Sequence, residues 1–310
     1  MRDQIRSILT GIGFSEIITY SFISPESADT LNADETSDLR RFTGLMNPLS
    51  KDQSVLRTSL LPGVMATVAH NRLNGEKDLR LFEWGKVFKN RKGDPQPLEQ
   101  NMLVGAITGR AQQRTWYSNR RDVDFYDIKG CFEALLTGLG VDSARFERKN
   151  GFPGYDAESS CGVYASKTCI GQMGKASSSM KAAYDIEEDD VFIFEMNVAE
   201  LLPFIPTEKR FRPFPRFPAV YRDISLVVDQ RVESGRIVEF IQETGKDLLE
   251  SVHIFDIYEG DQIGECEKAI AFRISYRSDK GTLDGDTVNR LYERMIRKVC
   301  NETGGRLREG

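Results

Sequence analysis

Two histidines, five cysteines and one lysine beside a pair of glycines are the residues of this 310-residue chain that most readily suggest chemistry. His70 falls on a predicted helix and His253 within a predicted strand. They lack the short pairing that lets two imidazoles share a metal, so each reads as a structural histidine. Cys131, Cys161, Cys169, Cys266 and Cys300 are odd in number and far apart, with no C-x-x-C pair. Neither a zinc site nor a disulfide framework follows, and reduced thiols are expected. The stretch Gly171 to Ser177, GQMGKAS, has two residues between its glycines, and Ala176 follows Lys175. A phosphate loop needs four residues there and a hydroxyl directly after the lysine, so that its amides can wrap the phosphate. The stretch reads instead as a β-hairpin turn. No nucleophile elbow of the G-x-S-x-G type occurs. A Ser-His-Asp triad assembled from distant residues stays open, and no metal site is marked by spacing.

The elements that would position any site fall into two parts. Leu202 to Pro218, LPFIPTEKRFRPFPRFP, carries five prolines, which fix φ and withhold backbone donors. It reads as an extended linker, made basic by Lys209, Arg210, Arg212 and Arg216. Beyond it, Arg222 to Val228 reads as a strand and Glu233 to Glu250 as a helix with Ile237, Phe240, Ile241 and Leu248 on its apolar face. Val252 to Tyr258 and Lys268 to Tyr276 alternate as strands, the latter with Ile270, Phe272, Ile274 and Tyr276 on one face. Asp286 to Asn301 is a helix with Val288, Leu291, Met295 and Val299 as its stripe. Arg306 to Glu309 supplies a last edge strand. The order β-α-β-β-α-β is the ferredoxin-like arrangement.

Before the linker, Arg2 to Leu9, Ser24 to Leu31, Leu60 to Arg72 and Phe125 to Leu139 read as helices. Glu16 to Ile23, Leu79 to Lys89, Asn101 to Gly109, Ala144 to Arg148, Gly162 to Met173 and Asp190 to Val198 read as strands. Helices mixed with hairpin-like strands imply an α+β domain on an antiparallel sheet. The expected division is a first module over 1–202, a linker over 203–216 and a ferredoxin-like domain over 217–310.

Composition narrows the function. Hydrophobic residues make up 40% and charged residues 29%, as in a folded globular protein. Net charge is −5, and from Phe214 to Gly310 there are 15 Lys+Arg against 18 Asp+Glu, a net of −3. A protein that coats nucleic acid by charge alone is excluded, and any RNA contact must use a few placed side chains. No apolar run is long enough to cross a bilayer. The amino terminus MRDQIRSILTGIGF lacks a long apolar core and a cleavage site. A cytoplasmic protein is expected.

Four segments carry a sharper signal: NPLSKDQSVLRTSLLPGV at Asn47 to Val64, LFEWGKVF at Leu81 to Phe88, DFYDIKGCFEAL at Asp124 to Leu135, and FPAVYRDISLVV at Phe217 to Val228. In this order and at these separations the chain resembles the beta subunit of bacterial phenylalanyl-tRNA synthetase over nearly its whole length. The resemblance implies a class II synthetase-like module with an antiparallel sheet and flanking helices, followed by a ferredoxin-fold anticodon-binding domain. It implies a heterotetramer of two alpha and two beta subunits, with tRNA(Phe) as substrate. It places adenylate chemistry on the alpha subunit, so that ATP and Mg serve the holoenzyme and not this chain. Class II enzymes hold ATP with an arginine in a Phe-Arg-x-Glu pattern and another in a Gly-rich motif. Here Arg80-Leu81-Phe82-Glu83 has different spacing, and Glu293-Arg294 lies in a helix with no glycines before it. The family's Gly-x-Leu-His-Pro is replaced by Gly174-Lys175-Ala176-Ser177, and its amino-terminal tRNA-binding, editing and helical domains have no counterpart. A fragment, a split gene and a short natural form all fit.

The same resemblance points to FDIYEG, Phe255 to Gly260, for the anticodon: Tyr258 to stack on a base, Asp256 to accept from guanine's amino and imino groups, and Ala269 as pocket wall. A strand-ending tyrosine and a turn-capping aspartate are the bland alternatives. Arg290, Arg294 and Arg297 recur at helical spacing opposite the apolar stripe, as phosphate contacts or as a solvated face with Glu293. Arg222 and Asp223 are expected to pair locally rather than to bind RNA. In the first module, Leu56, Leu60, Leu61 and Val64 match the interface-building class II motif and are expected at a subunit interface, or in the core. Trp116, Tyr117, Arg120 and Arg121 form a weaker RNA candidate. Two other readings compete: a single-chain synthetase, and a stand-alone RNA-binding or regulatory paralogue.

Overall fold

The structure, a computed structural model, describes every residue except Lys92, Gln113, Arg114, 117–120, Ser143, Glu187, Glu188, Lys209, Arg210, Arg212, Glu309 and Gly310. Tyr117 and Arg120 of the weaker RNA candidate therefore lie outside the described residues. The chain forms two compact units, Met1–Lys209 and Arg210–Gly310.

The first unit runs α1 (Arg2–Gly11), β1 (Ser15–Glu16), β2 (Phe22–Ile23), α2 (Ser27–Thr30), β3 (Val55–Leu56), α3 (Leu61–Leu73), β4 (Leu79–Lys89), β5 (Leu98–Thr108), α4 (Phe125–Leu139), β6 (Ala144–Arg148), β7 (Tyr155–Ala165), β8 (Thr168–Ala176), α5 (Ser178–Ala183), β9 (Val191–Asn197) and α6 (Val198–Leu201). Seven strands form one sheet in the order β1-β4-β5-β9-β8-β7-β6. Short β1 joins β4 in parallel, and every other pairing is antiparallel. Central strand β9 is buried from Val191 to Met196 without alternation, as expected of a strand covered on both faces. One face packs on α1 and α4, where Phe132 meets Phe194 at 4.8 Å between ring centroids. The other packs on α3 through Leu61, Val64, Met65 and Val68. The sharp start of α4 follows from its sequence. The Asp124 carboxylate accepts from the amides of Tyr126 and Asp127, Asp127 accepts from the Asp124 amide, and Gly140 ends the helix at φ +83.

Several local expectations are corrected. GQMGKAS is not a turn: all but its last residue lies in β8, and the β7–β8 turn falls at Ser166 and Lys167. Gly174 is there because a Cβ would stand 2.4 Å from the Ser159 carbonyl, a close backbone approach and not a bend. The region read as one strand over Gly162 to Met173 is thus parts of two. The linker begins later than Leu202: Leu202–Phe204 form a 3-10 turn, and Phe204 and Ile205 pack on the first unit's core.

Glu16 to Ile23 is β-prone yet yields only two short strands, because a buried ion pair claims the chain between them. Arg57 is 5% exposed and Glu83 1%, with Arg57 Nη1 2.8 Å from Glu83 Oε1. Thr19 Oγ1 donates to Glu83 Oε2 at 2.6 Å and accepts from Arg57 Nη1 at 2.9 Å. Arg57 Nε donates to the Lys86 carbonyl at 2.8 Å. Gly85 leaves room for the guanidinium, since a Cβ there would lie 2.4 Å from Arg57 Nη2.

The second unit runs β10 (Val220–Asp229), α7 (Ser234–Gly245), β11 (Leu249–Tyr258), β12 (Glu267–Tyr276), α8 (Gly285–Thr303) and β13 (Arg306–Leu307). This is the expected β-α-β-β-α-β order, in an antiparallel sheet β11-β12-β10-β13. Ile270, Phe272, Ile274 and Tyr276 pack on Ile237 and Ile241 of α7 and on Val288, Met295 and Val299 of α8. The first helix is shorter than its apolar spacing suggested. It ends at Gly245, Lys246 takes φ +45, and Leu248 belongs to a 3-10 turn. Among the described residues no helix is long and apolar enough to cross a membrane.

Both tryptophans, Trp84 and Trp116, lie in the first unit, so their fluorescence in urea reports its unfolding. Arg57→Met or Glu83→Leu alone strands a buried charge and should cost roughly 3–5 kcal/mol. The double variant removes both charges and should regain most of that loss. Simple addition of the two single losses would contradict the pairing.

Candidate nucleic-acid interface

Strand register decides which residues of the second unit face outward. On β12 the even-numbered residues 270 to 276 enter the helix-covered core, so Ala269, Ala271, Arg273 and Ser275 lie on the other, open face. Residues of β11 paired with them share that face: Ser251 with Ser275, His253 with Arg273, Asp256 with Ala271, Tyr258 with Ala269. The strand does not simply alternate. The register shifts between Ile254 and Asp256, leaving Phe255 as an extra residue, and a β-bulge of this kind reverses the inward–outward phase. Asp256 and Tyr258 thereby reach the open face.

The structure thus brings together Asp256, Tyr258 and Ala269. Asp256 is exposed and makes no hydrogen bond or ion pair among the described residues, so its acceptors are free. The bland alternative of a turn-capping aspartate is not what is observed. Ala269 is 2% exposed and forms the floor rather than a wall. Arg308, just past β13, anchors its amide to the Ser225 carbonyl, and its guanidinium carbon stands 4.6 Å from the Tyr258 ring centroid. Its Nη2 donates to Gln262 Oε1 at 2.7 Å. Arg306 pairs with Glu267, which holds that carboxyl at about 2. Phe255 and Arg308 were not singled out from the sequence; the signal available was an aromatic and a basic residue at the two edges of one predicted sheet.

Arg290, Arg294 and Arg297 are exposed on α8, opposite the stripe that packs on the sheet. They therefore stand across the domain from Asp256 and Tyr258, and the six candidates form two groups. Arg222 and Asp223 both have partners within the unit, on opposite faces as neighbours on a strand must be. Arg222 donates to Asn289 Oδ1 at 2.9 Å, whereas Asp223 takes Arg273 at 2.9 and 2.7 Å and is held below the usual carboxylate range by it.

In the first unit the interface expectation is corrected in its residues. Leu60, Leu61 and Val64 are buried in this chain's own core and Leu56 is half-buried, since the first turn of α3 is what seals one face of the sheet. Within that motif Leu49 is exposed instead (96%), as is Met46 just before it (95%), and Ile18, Tyr20 and Phe22 are further exposed apolar residues of this unit, Phe22 lying on β2, which pairs with β3. Arg121 is not free for RNA either, being bidentate to Asp127 at 2.6 and 2.8 Å.

Two carboxylates of this unit, Glu83 and Glu195, are buried. Glu195 on β9 accepts from Ser59 Oγ at 3.1 Å, Gln172 Nε2 at 2.9 Å and Tyr155 OH at 3.3 Å. Burial pushes its carboxyl up, only partly offset by these donors, and burial beside Glu195 pushes the Tyr155 hydroxyl well above its ordinary value.

Comparison with known proteins agrees with this geometry. The fold is that of an aminoacyl-tRNA synthetase: the chain superposes on pyrrolysyl-tRNA synthetase from Desulfitobacterium hafniense with TM-score 0.51, covering 65% of this chain and 66% of that one at 15% identity. Residues 1–198 match the phenylalanyl tRNA synthetase beta chain CLM domain, and residues 215–308 match the ferredoxin-fold anticodon binding domain. The chain belongs to the phenylalanyl-tRNA synthetase beta chain family. It is 34% identical, over 99% of its length, to the phenylalanine–tRNA ligase beta subunit of Syntrophus aciditrophicus (strain SB). It is 33% identical, over 98%, to that of Carboxydothermus hydrogenoformans. It spans 38% of the length of each of these relatives.

Glu195 gives a pH signature. Its folded value lies above the ordinary 4.5, so as pH rises past 4.5 the unfolded chain loses this proton first and stability falls. In Glu195→Gln, whose added amide can donate to the Ser59 or Tyr155 oxygen, that fall should shrink. Urea midpoints followed by tryptophan fluorescence across pH measure it; an identical slope in the variant would contradict the assignment.

Proposed function

We propose that this chain is the non-catalytic, tRNA-orienting portion of a phenylalanine–tRNA ligase beta subunit. One observation carries the reading: in the unit that matches an anticodon-binding family, a bulge sets Asp256 and Tyr258 on one sheet face, opposite Ala271 and Ala269. A base stacks on the Tyr258 ring. The free Asp256 carboxylate accepts from the imino and amino groups of guanine, a pairing that adenine, with no imino proton on that edge, does not offer. The small Ala269 floor lets the base approach the sheet. Recognition by a few placed groups suits a chain of net charge −5. Arg290, Arg294 and Arg297, on the far side, would reach only phosphates of a separate stretch.

Among the described residues of the first unit, the two that stand where an ATP site would need free charge are engaged elsewhere. Glu83 is neutralised by Arg57 in the core, and Arg80 is engaged with the Ala111 carbonyl at 2.9 Å. We place ATP and Mg, and the adenylate chemistry, with the alpha subunit. The first unit then serves assembly, in a cytoplasmic heterotetramer of two alpha and two beta subunits. The surface we assign to the alpha subunit is the apolar set Met46, Leu49, Ile18, Tyr20 and Phe22, of the kind that forms interface cores.

Two experiments test the reading. Tyr258→Ala should lose about 1–3 kcal/mol of affinity for a stem–loop RNA carrying the tRNA(Phe) anticodon. Asp256→Asn should lose about 1.5–3 kcal/mol when the first anticodon base is guanine and much less when it is adenine. Fluorescence anisotropy titrations measure both; unchanged affinities would sink the RNA reading. Separately, Met46→Asp with Leu49→Asp should abolish co-elution with the alpha subunit in size-exclusion chromatography with light scattering, without altering the melting of the chain. Retained co-elution would move the interface elsewhere.

A further inference from the structure

We propose that Phe255 is a second base-stacking position, so that the open face of the second unit holds two neighbouring unpaired nucleotides. The proposal rests on the RNA-binding reading above and adds a site to it.

Phe255 is the extra residue of the β11 bulge, with no partner in the β12 register. Its backbone position is a consequence of the phase reversal; its side chain need not have been aromatic. The ring is 55% exposed, so one face is open to a base. It is also held. The Arg273 guanidinium carbon lies 5.3 Å from the ring centroid, and Arg273 is fixed in turn by its two bonds to Asp223. A ring steadied on one side by an anchored cation, with over half its surface in solvent, is a pre-organised platform that loses little freedom when a base stacks on it.

The position is right for a neighbour of the first base. Phe255 adjoins Asp256 in sequence and lies three residues before Tyr258, about 10 Å or less along a strand. Each ring has an arginine against it, Arg273 at Phe255 and Arg308 at Tyr258. Sheet faces that bind single-stranded RNA use successive aromatic rings in this way, one per base. Arg273 spends its charge on Asp223, and Asp223 is held ionised by it. The Phe255 position therefore works by stacking and not by phosphate neutralisation, and it is blind to base identity.

The test uses the full chain and the anticodon stem–loop RNA, read by anisotropy at several salt concentrations. Phe255→Ala should weaken binding roughly thirty-fold, the mid-range of one lost stack, with an unchanged slope of log affinity against log salt. Phe255→Tyr should restore binding. Loops carrying an abasic nucleotide at each position in turn locate the contact: at one position beside the base read through Asp256, the abasic RNA should bind weakly and Phe255→Ala should weaken it no further. The side chain is exposed, and an unchanged thermal melt will confirm that the variant folds. If Phe255→Ala binds as wild type while Tyr258→Ala does not, the second platform is overturned and the first stands. If neither change matters, both fall. A loss that is equal for every abasic loop would also overturn the proposal, since the effect would then not be stacking on one base.

Discussion

A strand buried on one side has a single phase, and one extra residue inverts everything beyond it. The outward surface of the second unit depends on that constraint. Strand β12 keeps its phase throughout, with Ile270, Phe272, Ile274 and Tyr276 under the helices. Strand β11 starts in the same phase, with Val252 packed on that core. Continued without interruption, it would turn Asp256 and Tyr258 to the helix side of the sheet. The bulge at Phe255 inverts the phase and puts an acceptor, two rings and a small-residue floor on one surface.

The first unit shows the complementary behaviour. Its sheet is of the synthetase kind, but its acidic residues serve the fold. Glu83 is closed off by Arg57 and Thr19, and Glu195 by three neutral donors. Buried charges are costly unless every lone pair is met, and here the partners come from distant parts of the chain: the β1–β2 connection, the residues on either side of β3's exit, β4, β7, β8 and β9. Such networks fix which loop packs where. They also leave these two carboxylates buried and engaged within the fold.

The two units therefore divide the work. One offers apolar side chains beside β2 and β3, suited to a protein partner. The other offers rings, arginines and a free carboxylate, suited to an unpaired base. Neither surface needs a strong net charge, in keeping with the acidic balance of the whole chain.

The chain by itself determined what depends on local periodicity. Alternation from Lys268 to Tyr276, the helical stripe Val288, Met295 and Val299, and the helical pattern over Phe125 to Leu139 lead to elements the structure contains. The ordered motifs carried the family. What tertiary structure alone decided were matters of partnership. Leu60, Leu61 and Val64 are apolar at helical spacing whether they meet a subunit or this chain's own sheet, and only packing shows that they meet the sheet. Glu16 to Ile23 has strand propensity, but Thr19 is drawn to a buried ion pair sixty-four residues away in sequence. The position of the β11 bulge is set by register with β12, not by the seven residues of β11 that alternate so plainly on the page. Propensity is a property of a few neighbouring residues, whereas burial, charge pairing and strand phase belong to contacts between residues far apart in the chain.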